Sequence, residues 1–306
     1  ISSAGIPFAI AALVSRYYAK EDYKTVLLVK KLGISIVMGL TFIVAIVFGL
    51  LSPSLARQSM GASASATDIE NLKMIFSILL LAVILVPYLS AIRGYYQGLK
   101  RLDLYGSSQA LEQFVRVFCI IFFGFLLTRV FALESIYAIY AAIGAASVAA
   151  FVTIIFFMFF TKEDDQRIDE LVIGQATKAV SKKILVVEII SLSVPYLLIS
   201  FLGSLSALVN STFFMDTVTK AGVLSVEQAK LEMGILLANC NKLSSIPQVL
   251  TLGFSAGLVP YLSESYEKQD VRTLNKQIIS LIETVFFILI PAVLVFIFFA
   301  KDIYYI

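Results

Sequence analysis

The 306-residue sequence contains no histidine and only two cysteines, Cys119 and Cys240, which lie 121 residues apart. The absence of histidine excludes imidazole acid–base chemistry and histidine metal sites. The wide separation of the two cysteines excludes a CxxC metal or redox motif. We therefore expect no metal or cofactor, and we expect both cysteines to serve as small apolar residues within helices.

Charged residues are also scarce, at 15% of the chain, whereas soluble domains contain about 25%. Hydrophobic residues make up 59%, and the mean hydropathy is +0.91. Several uncharged runs reach the length of about 20 residues that a helix needs to cross a bilayer. These runs are Leu32–Ala56, Met74–Ile92, Ser135–Thr161, Ile189–Met215 and Leu243–Ser263. The sequence therefore predicts an all-α, polytopic membrane protein.

The apolar runs and the loops between them predict about eight helices. The chain begins without a methionine or a charged leader region, so its start does not resemble a signal peptide, and we expect a fragment of a longer protein. The first predicted helix is too short to span a membrane by itself. The predicted helices are Ile1–Tyr17, Leu32–Ser54, Met74–Ile92, Ser107–Thr128, Ser135–Phe160, Ile184–Phe214, Ser225–Leu262 and Ile278–Ala300.

A polar segment, residues 161–183, separates the fifth predicted helix from the sixth. Its apolar residues fall at helical spacing, which predicts an amphipathic linker helix lying at the membrane interface. These residues are Ile168, Leu171, Val172, Ala176, Ala179 and Val180.

Lysine and arginine are distributed unevenly between the two sides of the predicted membrane. The loops on one side hold 16 of the 24, the opposite side holds six, and Arg116 and Lys242 lie within helices. Because basic residues mark the cytoplasmic side, the first predicted helix runs from outside to inside. The protein is expected to be a multi-pass protein of the cytoplasmic membrane, with these basic loops facing the cytoplasm.

The sequence also contains an internal repeat. Residues Gly5–Thr25 align without gaps on Gly253–Thr273, with six identities in 21 positions. The copies are six predicted helices apart, so they share one orientation, as in transporters built from two parallel lobes. This pattern predicts a first lobe over residues 1–160, a cytoplasmic linker over 161–183, and the first three helices of a second lobe over 184–306.

One helix carries two charges inside an otherwise apolar segment. Twelve uncharged residues separate Arg116 from Arg129, about 18 Å of helix at about 1.5 Å per residue, so Arg116 is expected near the middle of a core about 30 Å thick. Glu112 lies four residues earlier, the favourable order for a helical ion pair. Two interpretations remain open: a self-neutralising structural pair, or a cavity-lining pair that meets a charged substrate group.

Other polar residues are weaker candidates. Gln109 adds a polar group to the same helix, and Arg93 is either a cytoplasmic anchor or a contact for an anionic headgroup. Lys242, with Asn239 and Asn241 beside it, either snorkels to the outer interface or contacts a ligand. Asn210 either caps the sixth predicted helix or lines a cavity.

Three segments together resemble one family. They are AGIPFAIAALVSRYYA (Ala4–Ala19), RGYYQGLKRLDLYGSSQALEQFVRV (Arg93–Val117) and AGLVPYLSESYEKQD (Ala256–Asp270). They are similar to the polysaccharide-transport branch of the multidrug/oligosaccharidyl-lipid/polysaccharide exporter superfamily, nearest to stage V sporulation protein B-like proteins and MurJ-type lipid II flippases.

The resemblance implies a fourteen-helix protein of which this chain holds helices two to nine. It implies two lobes that form a V around a cationic cavity. Arg93, Gln109, Glu112 and Arg116 match the middle segment and become cavity candidates. Lys242 lies on the helix where lipid II flippases carry a cavity arginine.

The implied activity is the flipping of undecaprenyl-pyrophosphate-linked oligosaccharide from the inner to the outer leaflet, without catalysis and without nucleic acid. No nucleotide-binding motif is present, so the energy is expected from the membrane potential or from an ion gradient. The expected partners are the lipid-linked sugar, membrane lipids and a coupling ion. Two alternatives remain open: a cation-coupled small-molecule exporter on the same scaffold, and a non-transporting scaffold for cell-wall or sporulation proteins.

Overall fold

The computed structural model describes residues 2–60, 66–175, 179–223 and 257–305, with isolated positions 225, 228, 229, 232 and 235. Every regular element within these residues is helical, which confirms the predicted all-α class. A π-helical turn, Leu126–Val130, follows α4 directly. In chain order the helices are α1 (Ser2–Ala19), α2 (Tyr23–Met60), α3 (Ala66–Gly98), α4 (Leu102–Phe125), α5 (Ser135–Phe160), α6 (Lys162–Ile173), α7 (Lys182–Lys220), α8 (257–267) and α9 (Val271–Tyr305).

Six helices of the described residues are long and apolar enough to cross a membrane. They match six of the eight predicted helices, and most of the seventh, Ser225–Leu262, lies outside the described residues. The protein is therefore a multi-pass membrane protein, as predicted. The six segments are Tyr23–Leu55, Ile69–Gly98, Leu102–Val130, Ser135–Phe160, Lys182–Leu205 and Val271–Phe299.

Several helices begin earlier than their uncharged runs, so the predicted boundaries were wrong at these ends. Helix α2 begins at Tyr23 rather than at Leu32. Asp22 caps it, because its carboxylate accepts hydrogen bonds from the backbone N–H (3.1 Å) and the hydroxyl (2.6 Å) of Thr25. A charge marks where the apolar segment ends, whereas the helix itself continues into the polar region.

Within the described part of the linker, helix α6 ends at Ile173, with Ile168 as its buried residue, and residues 182–183 already belong to α7. The predicted Ala176 lies outside the described residues. Val180 lies beyond α6 in a segment without regular secondary structure and packs against the hydrophobic core. The prediction of one helical face reaching Val180 was therefore wrong, because the helix stops at Gly174, which has low helix propensity.

Helix α1 packs against α2 and α3, and close contacts at glycines position these two neighbours. A Cβ added at Gly94 of α3 would lie 2.5 Å from the carbonyl oxygen of Pro7. One added at Gly98 would lie 2.6 Å from Cβ of Val14, and one at Gly33 of α2 would lie 2.6 Å from the Ile10 side chain. Small residues at such positions let membrane helices approach closely.

The two copies of the internal repeat form the same turn. Glu21 and Gln269 occupy equivalent positions and have φ values of 59° and 55°. The next residue in each copy, Asp22 or Asp270, accepts a hydrogen bond from the backbone N–H three residues later, at 3.1 Å and 3.0 Å. Hydrogen bonds from the side chain and the backbone N–H of Thr273 lower the pKa of Asp270. The sequence similarity therefore corresponds to a shared helix–turn–helix geometry.

The described chain forms two compact units, Ser2–Val194 and Pro195–Ile306. The buried core of the first unit is built largely from α1, α2 and α3, with Leu185 and Ile189 of α7 among its fully buried side chains. The lobe boundaries inferred from the repeat, residues 160 and 184, remain a prediction.

We expect Gly94→Ala to lower the free energy of unfolding by about 1–3 kcal/mol, since the new methyl group would collide with backbone atoms of Pro7. Thermal unfolding of the purified protein in detergent measures this effect. Gly39→Ala in α2 is the matched control, because a Cβ there meets nothing within 4 Å and alanine favours helix by about 1 kcal/mol over glycine. Equal midpoints for the two variants would contradict the close α1–α3 contact.

Candidate functional site

Three charged residues on α3 and α4 form one hydrogen-bonded group, which we call the charged triad: Arg93, Glu112 and Arg116. Arg93 Nη1 donates to Glu112 Oε2 at 2.7 Å. Arg116 Nη2 donates to the other carboxylate oxygen, Oε1. The predicted Glu112–Arg116 pair therefore forms, and Arg93, 19 residues before Glu112, joins it from the neighbouring helix.

The turn between α3 and α4 brings these residues together. Lys100 adopts a positive φ of 63°, and the backbone N–H of Arg101 donates to the carbonyl of Tyr96 at 2.9 Å, which reverses the chain between antiparallel helices. Side chains tilt toward the N-terminus of their own helix. Arg93 therefore points away from the turn, and Arg116 points back toward it, so the two guanidinium groups converge on Glu112.

A single face of α4 places Glu112 against the neighbouring helices. Leu104, Ser108, Glu112 and Cys119 are its buried residues, at intervals of four, four and seven that repeat one helical face. The Glu112 side chain is 6% exposed. A carboxylate at this position requires compensating charge, because a buried unpaired carboxylate is very costly.

Each of the three guanidinium nitrogens of Arg93 donates a hydrogen bond in this arrangement. Besides its bond to Glu112, its Nε donates to the Ser108 hydroxyl and its Nη2 to the Ser108 carbonyl oxygen, both at 2.8 Å. Its side chain is only 11% exposed. A headgroup could reach Arg93 only by displacing these bonds, so the geometry favours a positioning role over direct contact.

Arg116 is placed differently. Its side chain is 30% exposed, and its Nε has no hydrogen-bond partner within the described part of the chain. It lies 14 residues from either end of the 29-residue segment Leu102–Val130. Two arginines and one glutamate leave the charged triad with a net charge of +1, and Arg116 is the member that presents it.

The other candidates do not join the charged triad in the described structure. Gln109 lies on α4 with its side chain exposed. Asn210 lies within α7, and its side chain is outside the described set. Asn239, Asn241 and Lys242 lie outside the described residues. Their cavity roles stay predictions.

A second polar cluster was not anticipated from the sequence. Lys30 Nζ of α2 pairs with Asp165 of α6 at 2.7 Å and lies 4.4 Å from the centroid of the Tyr95 ring. The Tyr96 hydroxyl donates to the Asp165 carboxylate at 3.0 Å. In the sequence Lys30 is one of the basic residues that mark the cytoplasmic side. The adjacent aromatic residues Tyr95 and Tyr96 and the acidic pair Asp164 and Asp165 are the signals that the sequence offers for this cluster.

Further bonds dock the linker onto the α1–α2 turn. Gln175 Nε2 donates to Asp22 Oδ1 at 2.9 Å, and its Oε1 accepts from the backbone N–H of Lys24 at 2.9 Å. Burial alone would raise the pKa of Asp22, but hydrogen bonds from Thr25 and Gln175 outweigh burial and hold that pKa below its ordinary value. Arg101 also pairs with Asp164 of α6. The linker is thus fixed to the helices that carry the charged triad.

A family model described as "Polysaccharide biosynthesis protein" matches residues 1–266. The lipid II flippase MurJ of Bacillus subtilis (strain 168) is 28% identical over 295 residues, covering 96% of this chain and 54% of that protein. Stage V sporulation protein B of the same organism is 26% identical over 275 residues, covering 89% of this chain and 50% of that protein. The chain spans about half the length of these relatives.

Solved transporter structures share the fold. A MATE structure in complex with MaD3S has a TM-score of 0.73 at 17% identity, covering 99% of this chain and 63% of that one. A MOP superfamily transporter from Pyrococcus furiosus has a TM-score of 0.71 at 15% identity, covering 99% and 62%. The all-helical architecture is therefore that of the MATE and MOP transporters, as the resemblance implied.

We expect Glu112→Ala to cost about 3–5 kcal/mol of stability, because it leaves buried Arg93 without a carboxylate. The double variant Arg93→Ala/Glu112→Ala should lose about 2 kcal/mol less stability than the sum of the losses of the two single variants. The reason is that the double variant removes both charges and leaves neither of the two without its partner. Denaturant unfolding in detergent measures all three. Arg116→Ala, which truncates a partly exposed partner, serves as the control at about 1 kcal/mol. Additive single effects would contradict the coupling.

Proposed function

The chain belongs to the polysaccharide biosynthesis protein family, and from this premise we propose that it is part of a lipid-linked oligosaccharide flippase. The proposed substrate is an undecaprenyl-pyrophosphate-linked sugar, a peptidoglycan precursor of the lipid II type or a polysaccharide repeat unit. The protein would move this headgroup from the inner to the outer leaflet by alternating access. The similarity to a protein named lipid II flippase supports this substrate class.

The observation that carries the proposal is the net positive charge of the charged triad midway along a membrane segment. A charged group at the bilayer centre costs at least about 2.5 kcal/mol. A cation about 4 Å from an anion returns about 4 kcal/mol at an effective dielectric constant of about 20. One partly exposed guanidinium can therefore offset much of the barrier for one phosphate charge, and in this proposal Arg116 supplies it.

Arg93 gives Arg116 the freedom to act. If Glu112 had only Arg116 as its partner, any movement of Arg116 toward a phosphate would leave a buried carboxylate without compensation, at a cost of about 3–5 kcal/mol. The 2.7 Å bond from Arg93 keeps Glu112 neutralised. Arg116 can then exchange the carboxylate for the headgroup and return to it after release, which is the reversible binding that transport requires.

Transport of this kind needs no covalent step, so we propose a transporter and not an enzyme. The headgroup carries negative charge, and the membrane potential acts on it with about 2.3 kcal/mol per charge per 100 mV. In this proposal an ion gradient or this potential supplies the energy. The lipid chain stays in the bilayer throughout, and only the headgroup crosses.

A cation-coupled small-molecule exporter has weaker support. Such an exporter needs a membrane carboxylate that is free to bind a cation, and the fold similarity to MATE transporters does not supply one. Glu112 is hydrogen-bonded to two arginines, so its charge is already compensated. The charged triad favours an anionic substrate group over a cationic one.

We expect Arg116→Ala in the full-length protein to reduce headgroup flipping at least tenfold, equivalent to about 1.4 kcal/mol of lost stabilisation, with normal membrane insertion. The measurement is leaflet-resolved accumulation of lipid-linked precursor in cells that depend on the variant. Arg129→Ala, an exposed arginine near the other end of the same segment, is the matched control and should flip normally. Arg116→Lys should retain part of the activity.

Unchanged precursor distribution in Arg116→Ala would remove Arg116 from the mechanism. Unchanged distribution after depletion of the whole protein would refute the flippase. A cell-wall or sporulation defect that persists while flipping is normal would instead favour the non-transporting scaffold, and sodium- or pH-dependent drug efflux would favour the exporter.

A further inference from the structure

An apolar groove of about 970 Å³ lies between α3, α4 and α5, within the range of small-molecule sites. Leu81 of α3 is 55% exposed and Phe151 of α5 is 56% exposed, so the groove is open at the surface of these helices. All three helices are candidate membrane segments. The wall is formed mainly by Ile78, Leu81, Leu85, Cys119, Phe123 and Phe151.

The floor of the groove contains small residues and one unpaired hydroxyl. Gly144 of α5 leaves room for a side chain, since a Cβ there would meet its nearest neighbour, Ile78, at an ordinary 3.6 Å. Ser147, one turn further along, is 3% exposed, and its hydroxyl has no hydrogen-bond partner among the residues that the structure describes. The free space at Gly144 can accommodate an apolar chain, whereas the Ser147 hydroxyl takes no part in holding a hydrocarbon.

One end of the groove lies beside the charged triad. Cys119, which lines the groove, follows Arg116 by three residues on α4, about 4.5 Å along the helix axis. The rest of the groove extends away from the α3–α4 turn. A molecule with an anionic group at Arg116 and a hydrocarbon chain in the groove would contact both the partly exposed Arg116 side chain, whose Nε has no described partner, and the apolar wall.

We propose that the groove holds the isoprenoid chain of the flipped lipid while its phosphate contacts Arg116. This inference rests on the proposed function and names where the chain binds. The chain would point away from the α3–α4 turn, which the distribution of basic residues assigns to the cytoplasm. A lipid in the inner leaflet also has its chain on the side away from the cytoplasm. The lipid can therefore move from the inner leaflet toward Arg116 without turning over.

The lining favours an isoprenoid over a phospholipid. In a polyprenyl phosphate the hydrocarbon begins directly at the phosphate, whereas a phospholipid carries ester carbonyl groups next to it. The groove residues nearest the charged triad include Leu85, Cys119 and Phe151, whose side chains offer no strong hydrogen-bond donor. Ester carbonyls placed beside these three residues would be desolvated at a free-energy cost, since the unpaired Ser147 hydroxyl lies one helical turn before Phe151 on α5.

The test compares two probes that share a phosphate and differ in chain length. Undecaprenyl phosphate and the short-chain geranyl phosphate are titrated against the full-length protein in detergent, and bound lipid is counted by native mass spectrometry. Gly144→Leu fills the groove and should weaken binding of undecaprenyl phosphate at least tenfold, while binding of geranyl phosphate changes less than twofold. Arg116→Ala should weaken both. Gly124→Leu, at a position with nothing within 4 Å, is the matched control and should change neither.

Equal weakening of both probes by Gly144→Leu, or no effect on either, would overturn the proposal. Dioleoyl phosphatidic acid that binds as tightly as undecaprenyl phosphate, with the same dependence on Gly144, would overturn the assignment to an isoprenoid. If Gly144→Leu does not fold, a second measurement on the protein without substitutions decides. Undecaprenyl phosphate should slow modification of Cys119 by N-phenylmaleimide at least fivefold. An unchanged rate would refute binding of the chain in the groove.

The flipping measurement stays separate from these binding measurements. If Arg116→Ala flips normally but undecaprenyl phosphate still binds in a Gly144-dependent manner, the proposed function fails and the lipid site remains. If flipping depends on Arg116 but binding does not depend on Gly144, the groove fails and the flippase remains.

Discussion

The Glu112 carboxylate, shared between Arg93 and Arg116, is the interaction on which the rest of this region depends. Its two oxygens bond to different helices, so one group joins α3 to α4 and also fixes the direction of Arg116. The second arginine changes the electrostatics. A Glu112–Arg116 pair alone would be neutral, whereas the charged triad retains one positive charge at mid-segment. The polar link that holds these helices together is therefore also the source of the cation that an anionic substrate would meet.

Close packing around α1 holds that link in place. Gly94 follows Arg93 directly, and its contact with the Pro7 carbonyl fixes the height of α3 against α1. Tyr96, two residues later, bonds to Asp165 of the linker helix α6. The segment from Arg93 to Tyr96 therefore meets α4, α1 and α6 in succession. A shift of α3 along its axis would disturb all three contacts together, which makes the position of Arg93 well determined.

The sequence predicted the helical class, six membrane segments and the pair of Glu112 with Arg116, because these follow from local hydropathy and i, i+4 spacing. It did not predict that Arg93 joins them, because the contact depends on the α3–α4 turn and on the relative height of two helices. The docking of Lys30 onto Asp165 was missed for a similar reason: a basic residue near a membrane surface is first explained by topology. Helix starts were misplaced where helices continue beyond the apolar segment. Lys242, Asn239, Asn241 and Asn210 stay untested predictions.

The arrangement of charge also bears on the proposed transport role. Tight association of α3 with α4 would not require three charged residues. A single neutral ion pair, or apolar residues of similar size, would hold the helices about as well, because buried ion pairs add little net stability. Arg116 is partly exposed and has an unpaired Nε, so it adds little to stability once Arg93 neutralises Glu112. In the proposed mechanism a mobile anion meets this extra charge, and Arg116 would change partner while Arg93 continues to neutralise Glu112. Arg93 would then maintain the helix contact while Arg116 binds the anion.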